Sequence, residues 1–221
     1  MVSHDRTSQL VAIGLATVAG FTDAIGFLSL GGAFVSFMSG NSTSFAVAVG
    51  GDTGIQAAAL LMLIILLFVL GVMAGTLIRH FEARFASAVI LLFMAIVLTI
   101  SLALYAYWPT SFAIALTAVA MGAANNVFVR KGEVSIGVTY MTGTLVKFAQ
   151  LLAGRLLGYP VAHWLPYLGL WLGLVGGAIL GTLCYRHFGF PSIVVSIVAC
   201  LLFATAFRHG NGQTDLATTV K

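Results

Sequence analysis

Ten polar or flexible residues could do chemistry in this otherwise apolar chain: Asp23, Ser39, Gly40, Asn41, Asn125, Asn126, Thr142, Gly143, Thr144 and Lys147. Asp23 is the only acid in the apolar run 10–30. Facing lipid it would cost at least ~2.5–3.5 kcal/mol, so it must face inward. There it can serve as a proton or cation site, or as a carboxylate that ties down polar backbone. Asn125 and Asn126 stand together in a second apolar run; they can touch a solute or bridge helices. Ser39-Gly40-Asn41-Ser42-Thr43 and Thr142-Gly143-Thr144 combine helix-capping residues with a glycine that lets the chain bend. Each should start a short helix, whose unpaired N–H groups and dipole favour an anion or a polar group. Lys147, three residues after Thr144, can pair with Asp23 or run its stem out to the surface.

The motifs are two copies of one stretch. Residues 34–46 recur 103 positions later as 137–149, with Val35/Val138, Met38/Met141, Gly40/Gly143, Phe45/Phe148 and Ala46/Ala149 identical and Ser36/Thr139, Phe37/Tyr140 and Ser39/Thr142 conservatively exchanged. Carried backwards, the same offset sets Asp23 against Asn126.

The elements that must position these residues are membrane helices. Hydrophobic residues make up 60% of the 221-residue chain and charged ones 7%, with a mean hydropathy of +1.08. Soluble domains carry roughly 25% charged residues. The net charge of +4 is small, and the basic residues do not cluster with aromatics, which excludes a nucleic-acid partner. Cys184 and Cys200 lie in apolar runs without metal-ligand spacing, so neither disulfide nor metal is expected. The five histidines are dispersed, and no nucleophile elbow, phosphate loop or dinucleotide fingerprint is present. The expectation is therefore a non-enzyme without cofactor.

Residues 10–30, 57–77, 85–107, 109–129, 161–185 and 190–207 are each apolar over a length that can cross ~30 Å of hydrocarbon at ~1.5 Å per residue. The segments 31–52 and 130–159, which hold the motifs, are too apolar for ordinary loops. With the N-terminus inside, Arg6, Arg79, Arg84, Arg130, Lys131, Lys147, Arg155, Arg208 and Lys221 sort to the cytoplasmic side and only Arg186 lies outside. The motif segments then re-enter the membrane or lie flat. Three spans per copy is an odd number, so the copies run in opposite directions. The sequence Gly71-x-x-x-Gly75-Thr-Leu, answered by Gly177-x-x-x-Gly181-Thr-Leu, extends the repeat to the second span of each half, with small residues that let helices approach.

The expected fold is thus an all-α integral membrane protein of six transmembrane helices, arranged as two inverted three-helix repeats, each with a re-entrant or short half-helix after its first helix. One membrane domain covers 1–221, with repeat one at about 8–107, repeat two at about 109–208, and polar tails at 1–7 and 209–221.

Gly20-Phe-Thr-Asp23-Ala, Met-Ser-Gly-Asn ending at Asn41, Met121-Gly-Ala-Ala-Asn-Asn126 and Thr139-Tyr-Met-Thr-Gly-Thr144 together resemble the YoaK-like family of bacterial multi-pass membrane proteins, an uncharacterised family. The resemblance runs over the whole chain, with Ser39 where Thr is common. It implies an inner-membrane protein of about six spans. The functional expectation is a small-solute or ion transporter or channel in the lipid bilayer, acting alone or as a homo-oligomer, with an anionic or proton-coupled substrate at the interface of the repeats. The alternative is a non-transporting module, such as a small-ligand sensor or an assembly partner.

Overall fold

The computed structural model describes residues 6–51, 54–82, 84–108, 110–130, 133–134 and 139–210. It is almost wholly helical. In chain order the helices are α1 (Arg6–Ser29), α2 (Met38–Gly50), α3 (Ile55–Phe81), α4 (Ala86–Tyr107), α5 (Ser111–Ala115), α6 (Thr117–Ala124), α7 (Met141–Leu156) and α8 (Leu165–Phe188), and a tight turn at Phe190–Ile193 leads into α9 (Val194–Gly210). A two-residue ladder pairs Val129–Arg130 with Glu133–Val134. Among the described residues, five stretches are long and apolar enough to cross a membrane: Gln9–Ser29, Ile55–Phe81, Ala86–Tyr107, Leu165–Phe188 and Phe190–Arg208.

The helix expected over 109–129 is shorter and broken in the structure. It covers only Ser111–Ala124, or ~21 Å at ~1.5 Å per residue, and it breaks at Leu116 between α5 and α6. Hydroxyls account for the break. Ser101 of α4 donates to Ala113 O at 2.6 Å and Thr117 donates to Ile114 O at 2.7 Å, so side chains take carbonyls at the break. Irregular backbone is tolerable here because protein surrounds it: Ala115, Ala118, Ala120, Met121 and Ala123 are wholly buried.

The far end of α6 is held by Arg79 of α3. Its Nε and Nη2 donate to Asn126 O at 3.1 and 2.7 Å, and Nη2 also reaches Val127 O at 3.1 Å. Ser87 of α4 donates to the same Val127 O at 2.8 Å. These carbonyls lie just past the C-terminal end of α6, where a cation is favourable both as a charge-assisted donor and against the dipole.

The helices pack in pairs: α1 on α8, α3 on α6 and α4 on α9, with α2 against α3 and α7 against α8. Glycine sets the first two pairings. A Cβ added at Gly177 would strike Thr17 O and one at Gly20 would strike Leu174 O, so α1 and α8 touch backbone to backbone. Gly71 meets Val119 O and Gly122 meets Phe68 O in the same way between α3 and α6. The third pairing, α4 on α9, closes the core around Leu91, Met94, Leu98, Cys200 and Ala204.

The half-length helices begin one residue before the expected starts, at Met38 and Met141. Their capping chemistry differs from the expectation. The N-cap positions are Phe37 and Tyr140, and neither helix start has a side-chain cap. The hydroxyls of Ser42, Thr43 and Thr144 instead bond back to Met38 O, Ser39 O and Tyr140 O, because they sit inside the first turns, where the carbonyl four residues back is in reach.

Candidate functional site between the two motif loops

The starts of α2 and α7 converge on one cavity of about 290 Å³. Four aligned pairs line it, Ser36/Thr139, Phe37/Tyr140, Met38/Met141 and Ser39/Thr142, joined by Gly143 and by Phe68 of α3. No charged side chain is among these residues. Hydroxyls, aromatic rings and the side chains of Met38 and Met141 form the wall, with N–H groups of two helix starts nearby. Such a wall can hold a small polar solute by hydrogen bonds and apolar contact.

Asp23 stands behind the first wall. Its Oδ1 accepts from the N–H groups of Val35 and Ser36 at 2.8 Å each, and the Ser36 hydroxyl also bonds the carboxylate. Asn41 is wholly buried. Its Oδ1 accepts from Phe34 N–H at 2.9 Å and its Nδ2 donates to Phe34 O at 2.6 Å, closing the loop on itself. Gly40 lies under Phe37 and Phe34, where a Cβ would strike the Phe37 ring. The first loop is thus braced through a carboxylate, an amide and a close ring contact.

Behind the second wall, Asn125 Oδ1 accepts from the Thr139 hydroxyl at 2.9 Å while its Nδ2 donates to Met121 O at 3.2 Å. Asp23 with Ser36 therefore corresponds to Asn125 with Thr139, which corrects the pairing of Asp23 with Asn126. Thirteen residues separate Asp23 from Ser36 and fourteen separate Asn125 from Thr139, so a fixed offset slips by one. Asn126 turns to α3 instead: Nδ2 donates to Val72 O and Oδ1 accepts from Thr76, each at 3.1 Å.

Of the ten candidate residues, the structure brings Ser39, Thr142 and Gly143 to the cavity, sets Asp23 and Asn125 directly behind it, and uses Asn41, Asn126 and Thr144 as local braces. Gly40 is packed under the first loop and the Lys147 side chain is exposed. Sequence reasoning missed the other seven residues that line the cavity: Ser36 and Thr139, the pairs Phe37/Tyr140 and Met38/Met141, and Phe68. The first two were signalled by the repeat itself, as one of its Ser/Thr exchanges; Phe68 carries no polar atom and no local signal marks it.

Residues 11–206 match a family described as "Protein of unknown function (DUF1275)". The chain is 39% identical over 212 residues to a UPF0700 transmembrane protein of Rhizobium meliloti (strain 1021), covering 94% of this chain and 91% of that protein. No solved structure matches the chain. A match over nearly the full length, with five helices able to cross a bilayer, identifies this chain as a membrane protein belonging to the DUF1275 family.

Proposed function

We propose that this protein is a small-solute or ion transporter or channel of the bacterial inner membrane, with its site in the cavity between α2 and α7. The observation that carries the proposal is the convergence of the same four aligned positions of both motif copies on one cavity. A repeated motif used only for packing has no reason to leave a shared hollow lined by its own hydroxyls.

The reading includes two inverted three-helix repeats, about 8–107 and 109–208, with α5–α6 as the broken sixth crossing. Exchange of partners supports it: α1 on α8 is answered by α6 on α3, α2 on α3 by α7 on α8, and α4 on α9 answers itself. A two-fold axis in the membrane plane produces this pattern. The sorting of basic residues favours cytoplasmic N- and C-termini. With uncapped helix starts and no anionic side chain among the described residues that line the cavity, the passenger is a small polar solute, neutral or anionic. Asp23 shapes the wall in this reading and carries no coupling ion, and the protein catalyses no reaction.

The test is an uptake screen of small neutral and anionic solutes in proteoliposomes, with Ser39→Trp and Thr142→Trp as plugs. Expected is flux that either plug abolishes while the protein stays folded, and that Asp23→Asn preserves. Absence of flux for every solute, or flux indifferent to both plugs, overturns the reading in favour of a non-transporting sensor or assembly module.

A further inference from the structure

We infer that the passenger of this cavity is a planar, uncharged heterocycle of nucleobase size, set against the rings of Phe37 and Tyr140 and bonded along its edge by the hydroxyls and helix starts of the two motif copies. The inference rests on the proposed site and adds the class of molecule that the site takes.

Phe37 and Tyr140 are aligned positions of the repeat, each the last residue before its helix, and both line the cavity. They are 39% and 57% exposed, so each keeps ring surface that the protein does not cover. Phe37 is held in place: a Cβ on Gly40 would strike its ring, and Phe34 packs against it nearly at a right angle at 5.3 Å. A ring fixed in advance loses little freedom when a ligand arrives. Phe68 of α3 adds a third aromatic side chain to the lining. Aromatic faces accept a flat π-system, and one such stacked contact changes affinity by about 5- to 150-fold.

The polar groups set what the edge of the ligand must carry. Thr139 donates its proton to Asn125 Oδ1, and the Ser36 hydroxyl bonds the Asp23 carboxylate, which takes only donors. A hydroxyl has one proton to give, so toward the cavity both oxygens can only accept, and they call for N–H groups on the ligand. The first N–H groups of α2 and α7 are opposite in kind. They have no carbonyl partner within their own helix and no side-chain cap, so they call for a carbonyl or a ring nitrogen. Ser39 and Thr142, also in the lining, can donate or accept as the ligand requires. Donors and acceptors side by side on a flat frame describe a lactam or amidine edge, which is the edge of a nucleobase.

Charge and size point the same way. An anion would meet two acceptor-only oxygens with the Asp23 carboxylate behind one of them, and a cation would meet two helix N-termini, so neither charge suits the site. About 290 Å³ is the room of roughly ten water molecules at ~30 Å³ each, enough for one ring or two fused rings and too little for a whole nucleotide. A polyol would satisfy the hydroxyls but has no flat π-face to lay on Phe37 or Tyr140.

Equilibrium binding of radiolabelled uracil, adenine and hypoxanthine to the full chain in nanodiscs tests this, with erythritol as the polyol and acetate as the anion for comparison. Expected is saturable binding of at least one base and of neither comparison solute. Tyr140→Leu, which removes the more exposed ring, should weaken that binding about fivefold or more, and Tyr140→Phe, which keeps the ring face, should retain it. Binding of none of the bases, binding of erythritol or acetate as tight as that of the bases, or base binding indifferent to Tyr140→Leu overturns the inference, and the solute comparison on the unmodified protein decides it if the variant does not fold. Base binding without flux for any solute would remove the transport reading and leave the inference standing; flux of a polyol or a carboxylate that the Trp plugs stop would do the reverse.

Discussion

The segments 34–46 and 137–149 share five identical residues in thirteen, yet they are held by different means. The first is gripped through its own backbone: a carboxylate takes two N–H groups, and an amide spans a third N–H and a carbonyl. In the second, whose described part starts at Thr139, one hydroxyl is tied to Asn125 at the end of a neighbouring helix. Once a duplicated motif faces its twin across a cavity, the two copies need only agree on the residues that line it. Those behind the wall are free to diverge, and here the divergence runs from charged and ring-packed to hydroxyl-bonded and open.

The largest effect should separate Asp23 from its counterpart. Asp23→Ala leaves the buried Val35 and Ser36 N–H groups without their acceptor, at about 1–3 kcal/mol each. A marked fall in melting temperature and in detergent yield is expected, while Asn125→Ala costs far less because Thr139 can turn its hydroxyl to water. Equal losses in the two variants would break the comparison.

The arginines supply a second contrast. Arg79→Gln removes charge-assisted bonds to Asn126 O and Val127 O, worth roughly 1.5–3 kcal/mol, whereas Arg186, exposed at the end of α8, should be replaceable by Gln with little change. Thermal unfolding of the purified variants measures both. A smaller contrast is expected at the loop amide: Asn41→Ala should cost about 1–3 kcal/mol by stranding the Phe34 backbone groups, and Thr144→Ala close to nothing. The smallest concerns the glycines. Gly40→Ala pushes the Phe37 ring aside, an overpacking cost of about 1–3 kcal/mol, while Gly143→Ala enters open space and should be neutral. Destabilisation by Gly143→Ala equal to that of Gly40→Ala would show the second wall to be as tightly packed as the first.

Long periodic features were legible in the sequence and short geometric ones were not. The five helices long and apolar enough to cross a membrane could be read because each needs only length and apolarity, and the motif helices start within one residue of where Ser39 and Thr142 pointed. The break at Leu116 was not legible, since it depends on Ser101 reaching over from another helix. Nor was the register between Asp23 and Asn125: the extra residue lies in the connection, where the sequence offers no repeat to count against. Asp23 was readable as inward-facing, but its two bonds to Val35 and Ser36 were not, since they depend on how the chain after α1 turns back.

The pairing of helices also bears on the order in which the chain is assembled. The broken α5–α6 unit is too short to span alone, but α3 and α4, which cover it, are made before it. It can dock as soon as it emerges. α1 is in the opposite position: its glycine-lined partner α8 begins only at Leu165, near the end of synthesis. During that interval the strip around Thr17 and Gly20 stays uncovered, and the Asp23 carboxylate must be satisfied by the nearest available donors. Val35 and Ser36 arrive within thirteen residues of it. The tie that shapes the cavity in the finished protein is therefore also an early, local closure, one that lets an acidic helix remain in the bilayer while it waits for its partner.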